Sequence, residues 1–180
     1  MGTLFTAGHS NRSIEEFIAL LKGAGVETAI DIRRYPASRK WPHFNADALA
    51  VSLPEAGIAY VGLPALGGRR KAKPDSRHTA WKSEMFRAYA DFLESREARE
   101  AILRLEESAR AGSTAFFCAE AVPWRCHRSL VADALVARGW EITDLLGPGS
   151  SRPHALPPFA RVEGAEVIYD VGGDAPLPLG

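Results

Sequence analysis

Residues Cys118 to Leu130, CAEAVPWRCHRSL, hold both cysteines of the chain, a carboxylate, a histidine and two arginines within thirteen positions. Such a set could form a metal cage, a thiol nucleophile or an anion cradle, or it could simply end a buried strand. A thiol set between arginines and a helix N-terminus has a lowered pKa, the condition for a nucleophilic thiolate. Cys118 follows Phe116 and Phe117, however, and a free cysteine there equally suits a small core hydrophobe, while Cys126 reads as structural. Glu120 has no such packing role, which makes it the preferred essential group, with Cys118, His127 and Asp31 as the other acid, base or nucleophile candidates. A metal would use Cys118, Cys126 and His127, with His9 as a further donor. Cys-x7-Cys followed at once by His is not the ligand spacing of a zinc knuckle. Adjacent Cys126 and His127 on a helix would also point about 100° apart. No metal or other cofactor is therefore predicted. The Cys-x5-Arg loop of thiol phosphatases and rhodaneses is missed by one residue, because Arg125 comes late and an acid interrupts the loop.

The elements that must position these groups follow from periodicity. Thr3–Gly8 is a short apolar run, and Ser13-Ile14-Glu15-Glu16 is a capping box opening a helix with Ile14, Phe17, Ile18 and Leu21 on one stripe. Strands are predicted over 26–32, 58–61, 113–118 and 140–145. Helices are predicted from near Asn45 to Pro54, across 79–112 with a restart at Ser95, and from near Pro123 to Arg138. In that last helix His127 lies in line with Leu130, Val131 and Ala134. Strands alternating with helices predict a single α/β domain. Its mainly parallel central sheet has about five strands with helices on both faces, a Rossmann-like three-layer arrangement. Residues 1–146 form the core with the active-site edge, and 147–180 form a Gly/Pro-rich extension of the same domain with an edge hairpin near 161–170.

Ligands of open parallel sheets bind beyond the carboxyl ends of the strands. His9, Ser10 and Arg12 follow the first strand, Asp31, Arg33, Ser38 and Arg39 the second, Arg69 and Arg70 the third, and Cys118, Glu120, His127 and Arg128 the fourth. Every one of these loops brings at least one arginine, and guanidinium forks suit phosphate or carboxylate. His9, Ser10, Arg12, Arg33, Ser38, Arg39, Arg69, Arg70 and Arg128 are accordingly the candidate anion-binding residues. GHSNRS has the makings of a phosphate cradle before a helix N-terminus, but it is neither the dinucleotide fingerprint nor a P-loop.

The chain of 180 residues is 46% apolar and 24% charged, which suffices for one buried core. Its net charge is zero, yet ten Lys or Arg face three Asp or Glu between Arg33 and Lys82, so that segment carries +7 and the remainder −7. A basic middle in a neutral chain suits an anion-binding face as well as it suits solvated loops. With no membrane-length apolar run and no leader pattern, the sequence predicts a soluble, cytoplasmic protein, and its two cysteines are expected to be free thiols.

GHSNRSIEEF, DIRRYPASRKWPHF, GIAYVGLPALGGRR and CAEAVPWRCHRSL, in that order and spacing, resemble the family catalogued as domain of unknown function 488. The resemblance spans roughly Thr3 to Leu145 and implies no assigned activity. It implies characteristic positions at Gly8, His9, Ser10, Arg12, Asp31, Arg33, Pro36, Ser38, Gly67, Gly68, Arg69, Cys118, Glu120, Cys126, His127 and Arg128, and variable ones at Arg34, Trp124 and Arg125. The expected function is that of an enzyme on an anionic small-molecule, nucleotide or nucleic-acid-derived substrate, because Asp31 and Glu120 would repel a phosphate backbone unless they had chemistry to perform. The alternatives are a non-catalytic nucleic-acid-binding module and a Cys/His metal-dependent enzyme.

Overall fold

A computed structural model describes residues 3–171. The first strand, β1 (Leu4–Gly8), leads through a tight turn to α1 (Ile14–Gly23), whose Ser13 cap and Glu16 close the reciprocal capping box. Then come β2 (Thr28–Asp31), α2 (Ala46–Glu55) and β3 (Ala59–Gly62). Pro54 lies in the last turn of α2, where it cannot donate to the Ala50 carbonyl four residues back, and the helix ends one residue on. The long helical stretch divides into α3 (Glu84–Leu93) and α4 (Arg96–Ala111), with Ser95 capping the second through the Ala98 N–H.

Next are β4 (Thr114–Cys118), α5 (Arg128–Ala137), β5 (Ile142–Gly147), β6 (Ser150–Pro153), and the pair β7 (Ala160–Glu163) and β8 (Glu166–Tyr169). The sheet order is β3-β2-β4-β1-β5-β6, with every pairing parallel except β5–β6. The α/β sheet thus has six strands rather than about five. The sixth is a polar, wholly exposed edge strand, SSRP, which carries no apolar alternation to betray it.

The expected hairpin forms at 160–169, but it pairs only with itself among the described residues instead of extending the sheet edge. Residues 172–180 of the proposed extension lie outside the described residues. No described helix is long and apolar enough to cross a membrane.

Side-chain alternation along the central strand separates the two faces. Phe116 packs with Leu4, Ile30 and the residues of α3, α4 and α5. Phe117 points the other way, into Phe17, Phe44 and Leu49 from α1, α2 and the loop before α2.

A polar network spans the first of these layers. His154 faces Asp133 of α5 through Nε2 at 2.8 Å and Asp144 of β5 through Nδ1 at 3.1 Å. Thr6 donates to Asp144 at 2.9 Å and Tyr169 to Asp133 at 2.7 Å, so β1, β5, α5 and β8 share one cluster. Burial works against charge on His154, but its bonds to Asp133 and Asp144 prevail and raise its pKa to about 9.

A folded value above the ordinary one makes this stabilisation complete below the unfolded pKa of about 6.5, and it is lost as the pH rises through about 9. In urea unfolding, the stability advantage of the wild type over His154→Gln should be roughly 3 kcal/mol larger near about pH 6 than near about pH 10. An advantage independent of pH would show that His154 is neutral in the fold.

Candidate functional site

β4 ends at Cys118, and the chain from Ala119 to His127 leaves the sheet edge before α5 begins. Pro123–Arg125 is a single 3-10 turn rather than the start of the helix, and Cys126 after it is extended, with φ −129° and ψ 142°. His127 is the helix cap and Arg128 the first helical residue. Cys126 and His127 are therefore not helical neighbours, and the separation of about 100° expected of such a pair does not apply. Cys126 Sγ lies 3.7 Å from His127 Nδ1, and one donor atom each from Cys118, Cys126 and His127 fall within 4.8 Å of one another. Both cysteines are free and buried.

Arg128 is fully buried at the centre of this loop. It donates from one nitrogen to the Glu120 carbonyl, from a second to the Ala121 carbonyl at 3.0 Å, and from Nε to Thr6 Oγ1 at 3.4 Å. The nitrogen serving Glu120 also approaches Cys118 Sγ at 3.8 Å. No carboxylate of the described residues pairs with it. The hydrogen bond from the Cys126 thiol lowers the Cys118 pKa to about 6, against its burial and with help from Arg128. Cys126 is pushed well above the ordinary thiol value by that same bond and by burial, so one proton resides on Cys126 and the charge on Cys118. Burial, then Arg128, brings His127 down to about 4 and leaves a neutral ring at pH 7. The ring packs on Tyr89 with centroids 4.8 Å apart, and its Nε2 is buried without a hydrogen bond.

The second loop supplies a separate ionic knot. Arg33 grips Asp31 through Nε at 2.8 Å and a terminal nitrogen at 2.6 Å, and also donates to the Phe44 carbonyl at 2.7 Å. Tyr60 donates to the same carboxylate at 2.8 Å. The other terminal nitrogen of Arg33 faces His9 Nε2 at 3.2 Å, while His9 Nδ1 faces the Ser10 carbonyl at 2.9 Å. These partners assign the proton to Nδ1 and make Nε2 the acceptor. Burial depresses the His9 pKa to about 4, consistent with that neutral tautomer, and the ring stacks on Phe44 at 4.2 Å. Tyr60 sits inside β3, two residues before its carboxyl end, so the rule that ligands bind beyond strand ends does not point to it.

The loops after β1, β2, β3 and β4 therefore meet. A Cβ on Gly8 would collide with the Glu120 backbone, and one on Gly68 would stand 3.2 Å from His127 Nδ1. Arg34 donates to the Arg69 carbonyl at 3.1 Å. The predicted arginines divide into two groups. Arg12 serves the Gly8 and Leu146 carbonyls, and Arg70 the Gly67 and Ala65 carbonyls, with its guanidinium 3.6 Å over the Phe92 ring. These join Arg33 and Arg128 as internal fasteners. Arg39 and Arg69 are exposed, and no hydrogen bond or ion pair engages either side chain among the described residues; Arg69 holds a left-handed backbone at φ 60°.

Ser10 sits at φ 49° on the rim, and Ser38 is tied to the loop itself, accepting from the Trp41 N–H while its own N–H donates to Asn45. Glu120 lies beyond the strand end and is exposed, so it does not share the buried face of Phe116 and Cys118; its carboxylate accepts from Ala121 N–H. Removing the acid from the ionic knot would leave Arg33 buried and unpaired. Asp31→Asn should cost about 3–5 kcal/mol of unfolding free energy, against about 1 for Tyr60→Phe. Equal losses in chemical denaturation would contradict that assignment of the pair.

No curated protein and no solved structure gave a significant match to the chain. The family model described as Domain of unknown function DUF488 matches residues 13–135, from the α1 capping box to the last turn of α5. That range takes in Asp31, Arg33, Gly68, Cys118, Cys126, His127 and Arg128, while the GHSNR turn lies just ahead of it. On that match, which covers well over half of its length, this chain belongs to the DUF488 family.

Proposed function

We propose that this chain is an enzyme acting on an anionic substrate, phosphorylated or derived from nucleic acid, with the Cys118 thiolate at its reacting centre. The observation that carries this reading is the fully buried Arg128 guanidinium, which lies 3.8 Å from Cys118 Sγ and has no carboxylate partner. A buried charge is costly unless another charge or a full set of hydrogen bonds answers it. Carbonyls supply part of that answer here, and an anionic sulfur supplies the rest. Cys118 gives its proton up to solvent while Cys126 keeps its own and His127 stays neutral, so this is not a thiolate–imidazolium pair.

Arg39, Arg69 and Arg125, all exposed on loops of this edge and without a side-chain hydrogen bond or ion pair among the described residues, are guanidinium groups available to a bound anion. The internal engagement of Arg12, Arg33, Arg70 and Arg128 leaves fewer free cations than a non-catalytic binder of phosphate backbones would use. Between the two preferred groups, the thiol is built into a charge-compensating site and the Glu120 carboxylate bonds only to its own loop.

The test begins with mass spectrometry of small molecules retained by the purified chain, followed by turnover of the class so found. Cys118→Ser should lower kcat/KM about a thousandfold or more, Arg69→Ala should raise KM, and Glu120→Gln should remain within about tenfold of wild type. An inactive Glu120→Gln beside an active Cys118→Ser would reverse the assignment.

A further inference from the structure

The geometry points to a metal centre: we propose that Cys118, Cys126 and His127 bind one soft divalent cation of the zinc class, with a fourth position open to an anionic oxygen. This rests on the reading of Cys118 as the reacting centre and says what the thiolate does there. The three donors come from the end of β4 and from the two residues that close its loop, all held by the structure around Arg128.

The distances fit without rebuilding the loop. With metal–sulfur bonds of about 2.3 Å and metal–nitrogen bonds of about 2.0–2.1 Å, a tetrahedral sulfur–nitrogen edge is about 3.6 Å and a sulfur–sulfur edge about 3.8 Å. Cys126 Sγ and His127 Nδ1 already stand 3.7 Å apart. All three donor atoms lie within 4.8 Å, so closing the remaining edges takes movements of about 1 Å or less. The thiolate and imidazole donor set favours a zinc-class ion over magnesium or calcium.

The surroundings resemble a supporting layer for metal ligands. Arg128 directs its backbone N–H at Cys126 Sγ, 3.5 Å away, and its side chain at Cys118 Sγ, 3.8 Å away, so both sulfurs receive N–H contacts of the kind that orient thiolate ligands. Tyr89 packs on the His127 ring and donates to the Leu66 carbonyl at 2.6 Å, fixing the ring's floor. Gly68 leaves clear the space beside Nδ1 that a Cβ would crowd at 3.2 Å.

Charge then indicates what takes the fourth position. Two thiolates neutralise a divalent ion, and any protons the sulfurs carried leave to solvent. Arg128 remains as an unmatched positive charge beside the centre. Hydroxide or a substrate anion balances it, and three protein ligands plus one open position is the arrangement of catalytic rather than structural zinc.

The test uses the full chain, stripped with chelator and titrated with cobalt(II) alone. Uptake should saturate near about one ion per chain, with thiolate-to-cobalt charge-transfer absorption and the intense visible bands of a tetrahedral site. Cys126→Ser and His127→Gln, confirmed as folded by circular dichroism, should each weaken cobalt binding about 100-fold or more and change the charge-transfer bands. A folded wild-type chain that takes up no cobalt, or bands that survive in Cys126→Ser, would overturn the metal centre. The enzyme reading would still stand in that case if Cys118→Ser had lost turnover. Inorganic phosphate added to the cobalt form should shift the visible bands. Cysteine-dependent bands that phosphate leaves unmoved would support the metal and count against the anionic substrate.

Discussion

A guanidinium buried completely and paired with no carboxylate among the described residues is the constraint around which this sheet edge is built. Arg128 could not remain charged inside the molecule unless the loop before it turned its carbonyls inward, and Glu120 and Ala121 do so. That requirement shapes the chain from Ala119 to His127. It presses the Glu120 backbone against β1 at a point where only Gly8 leaves room, and it brings the Cys118 sulfur within reach of positive charge. Thr6, on the neighbouring strand, is shared between this cation and Asp144, so the Arg128 site and the His154 network meet through one hydroxyl.

The same economy explains why arginines can crowd one edge of a neutral protein. Arg12, Arg70 and Arg128 spend their donors mainly on backbone carbonyls, and Arg33 on a buried carboxylate. Their positive charges thus hold the loops in register with one another instead of standing free in solvent. The loops after four strands become a single rigid surface, on which Arg39 and Arg69 remain exposed. Rigidity of this kind suits a site whose reacting atom is a sulfur only 4% of whose residue is exposed, because access then depends on the shape of the edge rather than on a mobile side chain.

Local features were legible in the sequence, and those depending on partners distant along the chain were less so. Ser13 and Ser95 cap their helices as their spacing implies, because a cap is a contact between residues three apart. The split of Phe116 and Phe117 between two cores follows from strand alternation alone. Pro123 misled, since proline favours the first turn of a 3-10 and an α-helix alike, and the extended Cys126 that separates them has no local signature. The edge strand β6 was missed because an exposed strand needs no apolar pattern. The sequence marks Arg128 as a candidate anion-binding residue but gives no sign of its burial, which depends on carbonyls seven and eight residues back and on Thr6, 122 residues away. The association of Asp133 with His154 and Asp144 likewise arises only when β5, β6 and α5 are packed together.

If Arg128 and Cys126 hold Cys118 as a thiolate, the charge state of that sulfur can be read directly. The most direct measurement is the pH dependence of the Cys118 13Cβ chemical shift in the chelator-treated chain, with Cys126→Ser distinguishing the two cysteine signals. The expected result is a titration of Cys118 near about 6, with Cys126 still protonated. A Cys118 that titrates at or above the free-thiol value of about 8.5 would contradict it, and the buried guanidinium would then be satisfied by carbonyls alone.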